Sequence, residues 1–325
     1  MAIRVGVVGI SGYGGAEALR LIAAHPVFEL VYAAGESSAG SELGERFPAL
    51  EGKLAQLVIH RWNPAEPPEL DVLIASLPTG ESKDALANVS DGTKIVDIGG
   101  DHRYVAGWTY GLADVWPGEI EGKTRIANPG CYPSAVLTAL APLLVQNLID
   151  PIHIVIDAKT GVSGAGRGGG DSRFGYAEMN EDLAAYGLLD HPHIPEMSKT
   201  ISKLAGVNAT GLVFTPHLCP MTRGILATIY CRGNVTTEQC MQVARRFYSN
   251  RSFVRVTESA PHTKWATGSN LVFVSYASDP ERNLVIAMGV VDNLGKGAAG
   301  MAMQNANIIS GYAETTGLGD LPLWP

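Results

Sequence analysis

One cysteine is placed for nucleophilic work. Cys131 lies in Asn128-Pro129-Gly130-Cys131-Tyr132-Pro133-Ser134, and the composition predicts a helix directly after it, over 134–148. A Pro-Gly turn that runs into a helix start exposes a thiol and aims backbone N–H groups at it. The positive end of the helix dipole then favours the thiolate, the nucleophilic form of cysteine. Cys219 lacks such a helix start, and Cys231 and Cys240 read as small buried apolar residues.

Acid–base chemistry has one good candidate segment, His191-Pro192-His193-Ile194-Pro195-Glu196. His193 is the expected acid–base group with Glu196 orienting it, and His191 is held in reserve. His-x-His is also a metal-ligand pair, but no cysteine or further histidine lies nearby in sequence, so no metal is expected. Two loops carry arginines: Gly161-Val162-Ser163-Gly164-Ala165-Gly166-Arg167, and Thr215-Pro216-His217-Leu218-Cys219-Pro220-Met221-Thr222-Arg223-Gly224. Arg167 and Arg223 suit a substrate bearing both phosphate and carboxylate, in an order left open, with Ser163 and His217 as further substrate contacts.

The chain opens with Gly9-x-x-Gly12-x-x-Gly15 between a strand and a helix. Such a turn lets backbone approach a pyrophosphate, and the helix start offers N–H groups and dipole. Ser11, Tyr13 and Gly14 belong to the same expected cofactor site. Glu36, past the second strand, suits a ribose 2′-hydroxyl, whereas Ser37 and Ser38 suit a 2′-phosphate, and no arginine adjoins them in sequence. A nucleophilic thiol with a nicotinamide cofactor points to reversible hydride transfer through a thioester.

These groups need elements to hold them. Residues 3–8, 30–34, 72–75 and 94–98 read as buried strands, with a helix over 16–24. That alternation predicts a doubly wound parallel sheet, with ligands at the strands' carboxyl ends, which adds Ser76 and Pro78 to the cofactor site. After 148 the pattern changes to strands at 152–158, 212–215, 224–232, 271–276 and 283–291, with Asp279-Pro280-Glu281-Arg282 as a hairpin turn. Helices are expected over 236–247 and 298–312, the latter packing back on the first domain. The fold class is therefore α/β: a parallel-sheet domain of residues 1–130 and 298–325, and an α+β catalytic domain of 131–297 with a mixed or antiparallel sheet.

Composition narrows the partners. A net charge of −8 argues against nucleic acid, while local arginines still admit an anionic substrate. Four cysteines without a Cys-x-x-Cys pair give no disulfide framework. No apolar run approaches the roughly 20 residues of a membrane span. Strand pattern begins at Ile3 with no signal peptide ahead of it, so the cytoplasm is the expected compartment.

Taken together, the segments 9–15, 128–134, 161–167, 191–196, 215–224, 292–300 and 311–315 resemble the N-acetyl-gamma-glutamyl-phosphate reductase family. The resemblance implies a Rossmann domain and a catalytic domain of the semialdehyde and glyceraldehyde-phosphate dehydrogenase type. It implies NADP(H), an acyl phosphate or semialdehyde substrate with phosphate, and a homo-oligomer (dimer or tetramer). Gly164 and Asn293 join the expected cofactor contacts. Two departures stand out: His191-Pro192-His193 replaces the family's His-Arg-His, and residues 34–38 hold no basic residue for a 2′-phosphate. Rival readings are a sister reductase of aspartyl or aminoadipyl phosphate, and a non-catalytic nucleotide-binding regulator.

Overall fold

The computed structural model describes residues 2–167, 175–209, 211–319 and 321–323. Contacts divide the chain into two compact units, one running to Gly130 and including Ala298–Leu318, the other built on Cys131–Ala165 and the chain up to Gly297. The helices of ten residues or more among the described residues are α1 (Tyr13–Ala23), α2 (Cys131–Val145), α3 (His193–Ala205), α4 (Thr237–Phe247) and α5 (Gly300–Ile309).

Short runs of Val, Ile and Ala make the first sheet, as expected for strands covered on both faces. Its strands are β1 (Ile3–Val8), β2 (Phe28–Ala34), β3 (Ile59–His60), β4 (Val72–Ala75), β5 (Lys94–Asp97), β6 (Thr109–Tyr110) and β7 (Arg125–Ala127). All pairings are parallel, in the order β3-β2-β1-β4-β5-β7-β6. The order reverses between β1 and β4, so a ligand crevice belongs at their carboxyl ends. Helix α5 packs on α1 and β5.

The second sheet holds β8 (Val155–Gly161), β9 (Ala184–Ala185), β10 (Val213–Cys219), β11 (Ile225–Cys231), β12 (Val254–Val256), β13 (Val272–Asp279) and β14 (Leu284–Val291). It is mixed, ordered β12-β13-β14-β11-β8-β10-β9, with β8–β10 and β12–β13 parallel. The Asp279 side chain accepts from Arg282 N at 3.2 Å and Asn283 turns left-handed at φ 51°, closing the β13–β14 hairpin. One sheet face is buried under α2, with α3 and α4 packed beside it. The other is half open: Val155, Val213 and Tyr230 are neighbours across β8, β10 and β11, and all three are exposed.

Several elements differ from the sequence expectation. Helix α2 begins at Cys131 itself, because Pro133 falls in the first turn, where its missing N–H has no helical partner to lose. It ends early, at Val145, where Asn147 adopts φ 52°. Strand β8 starts at Val155 because His153 is left-handed at φ 66°. Strand β10 runs straight through Pro216, which costs little because only the two-residue β9 pairs beyond it. Helix α3 is absent from the helices expected above; its two prolines, Pro192 and Pro195, sit at the cap and first turn, and it stops at Gly206 with φ 67°.

Helix α2 is apolar on all sides and buried, as a central helix must be. Pro142 inside it cannot donate to the carbonyl of Thr138 four residues back. Tyr248 supplies the missing donor, its hydroxyl lying 2.6 Å from Thr138 O, and the Tyr276 hydroxyl donates to Ala139 O at 2.8 Å.

Candidate active site

Cys131 occupies the first position of α2, and its side chain is partly accessible. The turn before it is fixed: Asn128 N donates to Asp97 O at 2.8 Å, and Arg103 Nε donates to Asn128 O at 3.0 Å. The positive end of the α2 dipole lies at this turn and favours an anion beside the Cys131 sulfur. Gly297 packs against the same residue. A methyl group on it would sit 2.9 Å from Cys131 Cβ, so no larger residue fits beneath the thiol.

A cage of rings follows. Tyr132 is buried and faces Phe214 at 5.0 Å, His191 at 5.7 Å and His193 at 6.0 Å between ring centroids. Its hydroxyl accepts from Tyr186 at 3.0 Å. Burial pushes both phenols well above the ordinary tyrosine range, so they stay neutral. His191 lies 4.8 Å from His193 and 5.1 Å from Phe214, and burial pulls its pKa down to about 4. His191 Nδ1 accepts the backbone N–H of His193 at 3.1 Å. That bond fixes the tautomer and leaves His191 a neutral cap on the start of α3. Glu196 is fully buried one turn after His193, on the same helix edge.

The remaining expected contacts fall into groups. Ser163 donates to Thr222 O at 2.6 Å and accepts from Asn293 Nδ2 at 2.9 Å, while Asn293 Oδ1 accepts from Gly224 N at 2.8 Å. Ser163 and Asn293 thus brace the loop that carries Arg223. Arg223 Nη1 donates to the buried Asp292 at 3.4 Å, and Asp292 also takes N–H bonds from Gly268, Leu294 and Gly295. Gly164, next to Ser163, is exposed. His217 is not brought to the ring cage. Strand alternation puts it on the face opposite Phe214, where Nδ1 lies 3.2 Å from Asp157 Oδ1. Cys219 shares that open face, and burial raises its thiol pKa, which disfavours a thiolate.

In the first unit the glycine turn fits a dinucleotide. Gly9 has φ 87°, and a side chain on Gly15 would collide with Gly9 O, so the turn can fold tightly against the start of α1. Gly12 caps α1, and Tyr13 and Gly14 form its first turn. Ser76 N donates to Val8 O at 2.9 Å, and Pro78 O accepts from Glu81 N at 3.2 Å, setting the turn after β4 beside that of β1. Ser11 and Ser38 hydroxyls lie 2.9 Å apart, and Ser37 is exposed. Arg167 donates to Ser11 O at 3.4 Å, and contacts group it with the first unit. The sequence showed no arginine beside Glu36; the fold supplies one, with Arg61 Nε 3.3 Å from Glu36 Oε2.

Comparison with known proteins shows the family of the chain. The model described as "Semialdehyde dehydrogenase, NAD binding domain" matches residues 4–123, and "Semialdehyde dehydrogenase, dimerisation domain" matches 131–293. An N-acetyl-gamma-glutamyl-phosphate reductase of Methylobacterium sp. (strain 4-46) is 69% identical over 325 residues, covering 100% of both chains. One of Synechococcus elongatus is 40% identical, over 99% of this chain and 98% of its own. Among solved structures, aspartate semialdehyde dehydrogenase II from Vibrio cholerae superposes with TM-score 0.75 at 20% identity, over 94% of this chain and 98% of that one. Aspartate semialdehyde dehydrogenase with NADP from Candida albicans gives 0.70 at 18%, over 97% and 100%. Those two likenesses are of fold, whereas the full-length identities reach further: the chain belongs to the semialdehyde dehydrogenase family, in the branch of the N-acetyl-gamma-glutamyl-phosphate reductases.

Proposed function

We propose that this chain reduces N-acetyl-γ-glutamyl phosphate to N-acetylglutamate semialdehyde and inorganic phosphate, with NADPH as reductant, in cytoplasmic arginine biosynthesis. The observation that carries the reading is Cys131 at the first position of a buried helix, with Gly297 packed against it. The Cys131 thiolate attacks the acyl carbon; the C–S bond forms, the C–O bond to phosphate breaks, and a thioester remains. N–H groups of the first turn of α2 hold the oxyanion. NADPH, when held at the Gly9–Gly15 turn, would supply the hydride that reduces the thioester. His193 protonates the resulting oxygen and takes that proton back as the C–S bond breaks and the aldehyde leaves. Of the two histidines, His193 fits this role because His191 is neutral and its Nδ1 is occupied. Glu196 orients His193, and Arg223, held by Asp292, binds an anionic group of the substrate.

The chain pairs with a second copy through the half-open face of the second sheet. Exposed Val155, Val213 and Tyr230 on one face, in the region matched by a dimerisation-domain model, support this.

The reverse reaction tests the function. Supplied with N-acetylglutamate semialdehyde, NADP⁺ and phosphate, the protein should reduce the nicotinamide only when phosphate is present. Activity confined to aspartate semialdehyde would move the chain to the sister activity, and silence with both aldehydes would sink the reading.

A further inference from the structure

We propose that Arg61 is the residue that reads the 2′-phosphate of the dinucleotide, and that its partner Glu36 is a counter-ion rather than a ribose ligand. This rests on reading the first unit as a dinucleotide site. In parallel sheets of this kind, a carboxylate just past the second strand accepts from the ribose 2′-hydroxyl and so disfavours a phosphate there. Glu36 has that position, directly after β2 and Gly35. Its charge is not free to act alone. Strand β3 pairs with β2 through Ala33–Ile59 and Ala34–His60, so the residue after β3 emerges beside the residues after β2. That residue is Arg61, and its Nε lies 3.3 Å from Glu36 Oε2.

The pair is open to solvent, with Arg61 at 72% and Glu36 at 74% side-chain exposure, so both side chains can swing without disturbing the core. With Nε on the carboxylate, the two terminal nitrogens of the guanidinium stay available in a fork that matches phosphate oxygens. Two hydroxyls complete the recess. Ser11 of the glycine turn and Ser38 after β2 lie 2.9 Å apart, and each can donate to a phosphate oxygen. Arg167 adds a second cation, donating to Ser11 O. Two guanidiniums against one carboxylate leave a net positive local charge, which suits a phosphate dianion and not a neutral ribose hydroxyl.

Equilibrium binding of two probes, adenosine 2′,5′-bisphosphate and 5′-ADP, separates this recognition from catalysis. By titration calorimetry the unaltered protein should prefer the bisphosphate by on the order of 10- to 100-fold, the range of a charged hydrogen-bonded contact. Arg61→Ala should remove most of that preference and leave 5′-ADP affinity unchanged. Arg61→Lys should restore part of it, since a point charge replaces the fork. Glu36→Gln should strengthen the bisphosphate selectively. Equal affinity of the unaltered protein for both probes would overturn the proposal, as would an Arg61→Ala variant that weakens both alike or neither. An enzyme that passes the phosphate-dependent assay but binds 5′-ADP equally well keeps the proposed reaction and loses this inference; the opposite pattern loses the reaction alone.

Discussion

The two units build their sites in opposite ways. In the first, the glycine turn depends on what side chains leave out: Gly9 and Gly15 let backbone close on backbone. In the second, the proposed chemistry depends on what side chains put in: a thiol, a buried carboxylate, and two imidazoles set among Tyr132, Tyr186 and Phe214. Adding atoms at the glycine turn should therefore damage the first unit, and removing them from the ring cage should damage the second.

The largest effect expected is that of Cys131→Ser. A serine hydroxyl is far less nucleophilic at neutral pH, so turnover should fall on the order of 10⁴–10⁶-fold while nucleotide affinity holds. A variant retaining a tenth of the parent rate would remove the thioester route. Next comes His193→Ala, expected to cost on the order of 10²–10⁴ in kcat. If steady-state kinetics show a similar loss for His191→Asn and none here, the two histidines exchange roles.

Gly15→Ala probes the other unit. The added methyl collides with Gly9 O, so the turn must open, costing about 1–3 kcal/mol of stability and weakening nucleotide binding. Unchanged calorimetric affinity would show that the tight turn is not what the nucleotide needs. Tyr248→Phe takes one oxygen from the second unit and leaves Thr138 O without its donor, for a loss of about 1–3 kcal/mol in denaturant melts. The smallest effect concerns pH. His191 has a pKa near 4 when folded, below its ordinary 6.5, so the unfolded chain takes up the proton first as pH falls. Stability therefore drops across that window, and is fully present above it. His191→Asn should flatten this part of the melting-temperature profile; an unaltered slope would mean that other groups set it.

The same contrast explains what the sequence revealed. The parallel sheet was legible because buried strands and a glycine turn are local patterns, and Val72–Ala75 falls where periodicity puts it. Cys131 and the 191–196 segment stood out because their residue types and prolines are local signals, and both fall at helix starts. Helix α3 itself was not legible, since Pro192 and Pro195 mask a helix until their place in the cap and first turn is known. His217 sits in a strand that its Pro-rich surroundings hid, and strands send alternate residues to opposite faces, so its side chain lies away from Phe214. Arg61 was invisible beside Glu36 because only the β2–β3 pairing makes them neighbours. Contacts made by strand pairing leave no trace in a local window.

The bond between Tyr248 and Thr138 O also constrains how this chain can change over generations. With Pro142 in place, losing the tyrosine hydroxyl strands a buried carbonyl. With alanine at 142, the helix would satisfy that carbonyl itself, and a phenylalanine at 248 would be nearly silent. The two positions are therefore not free to drift in either order. A lineage can adopt the proline safely only after the hydroxyl is there to receive it, and can discard the hydroxyl only after the proline has gone.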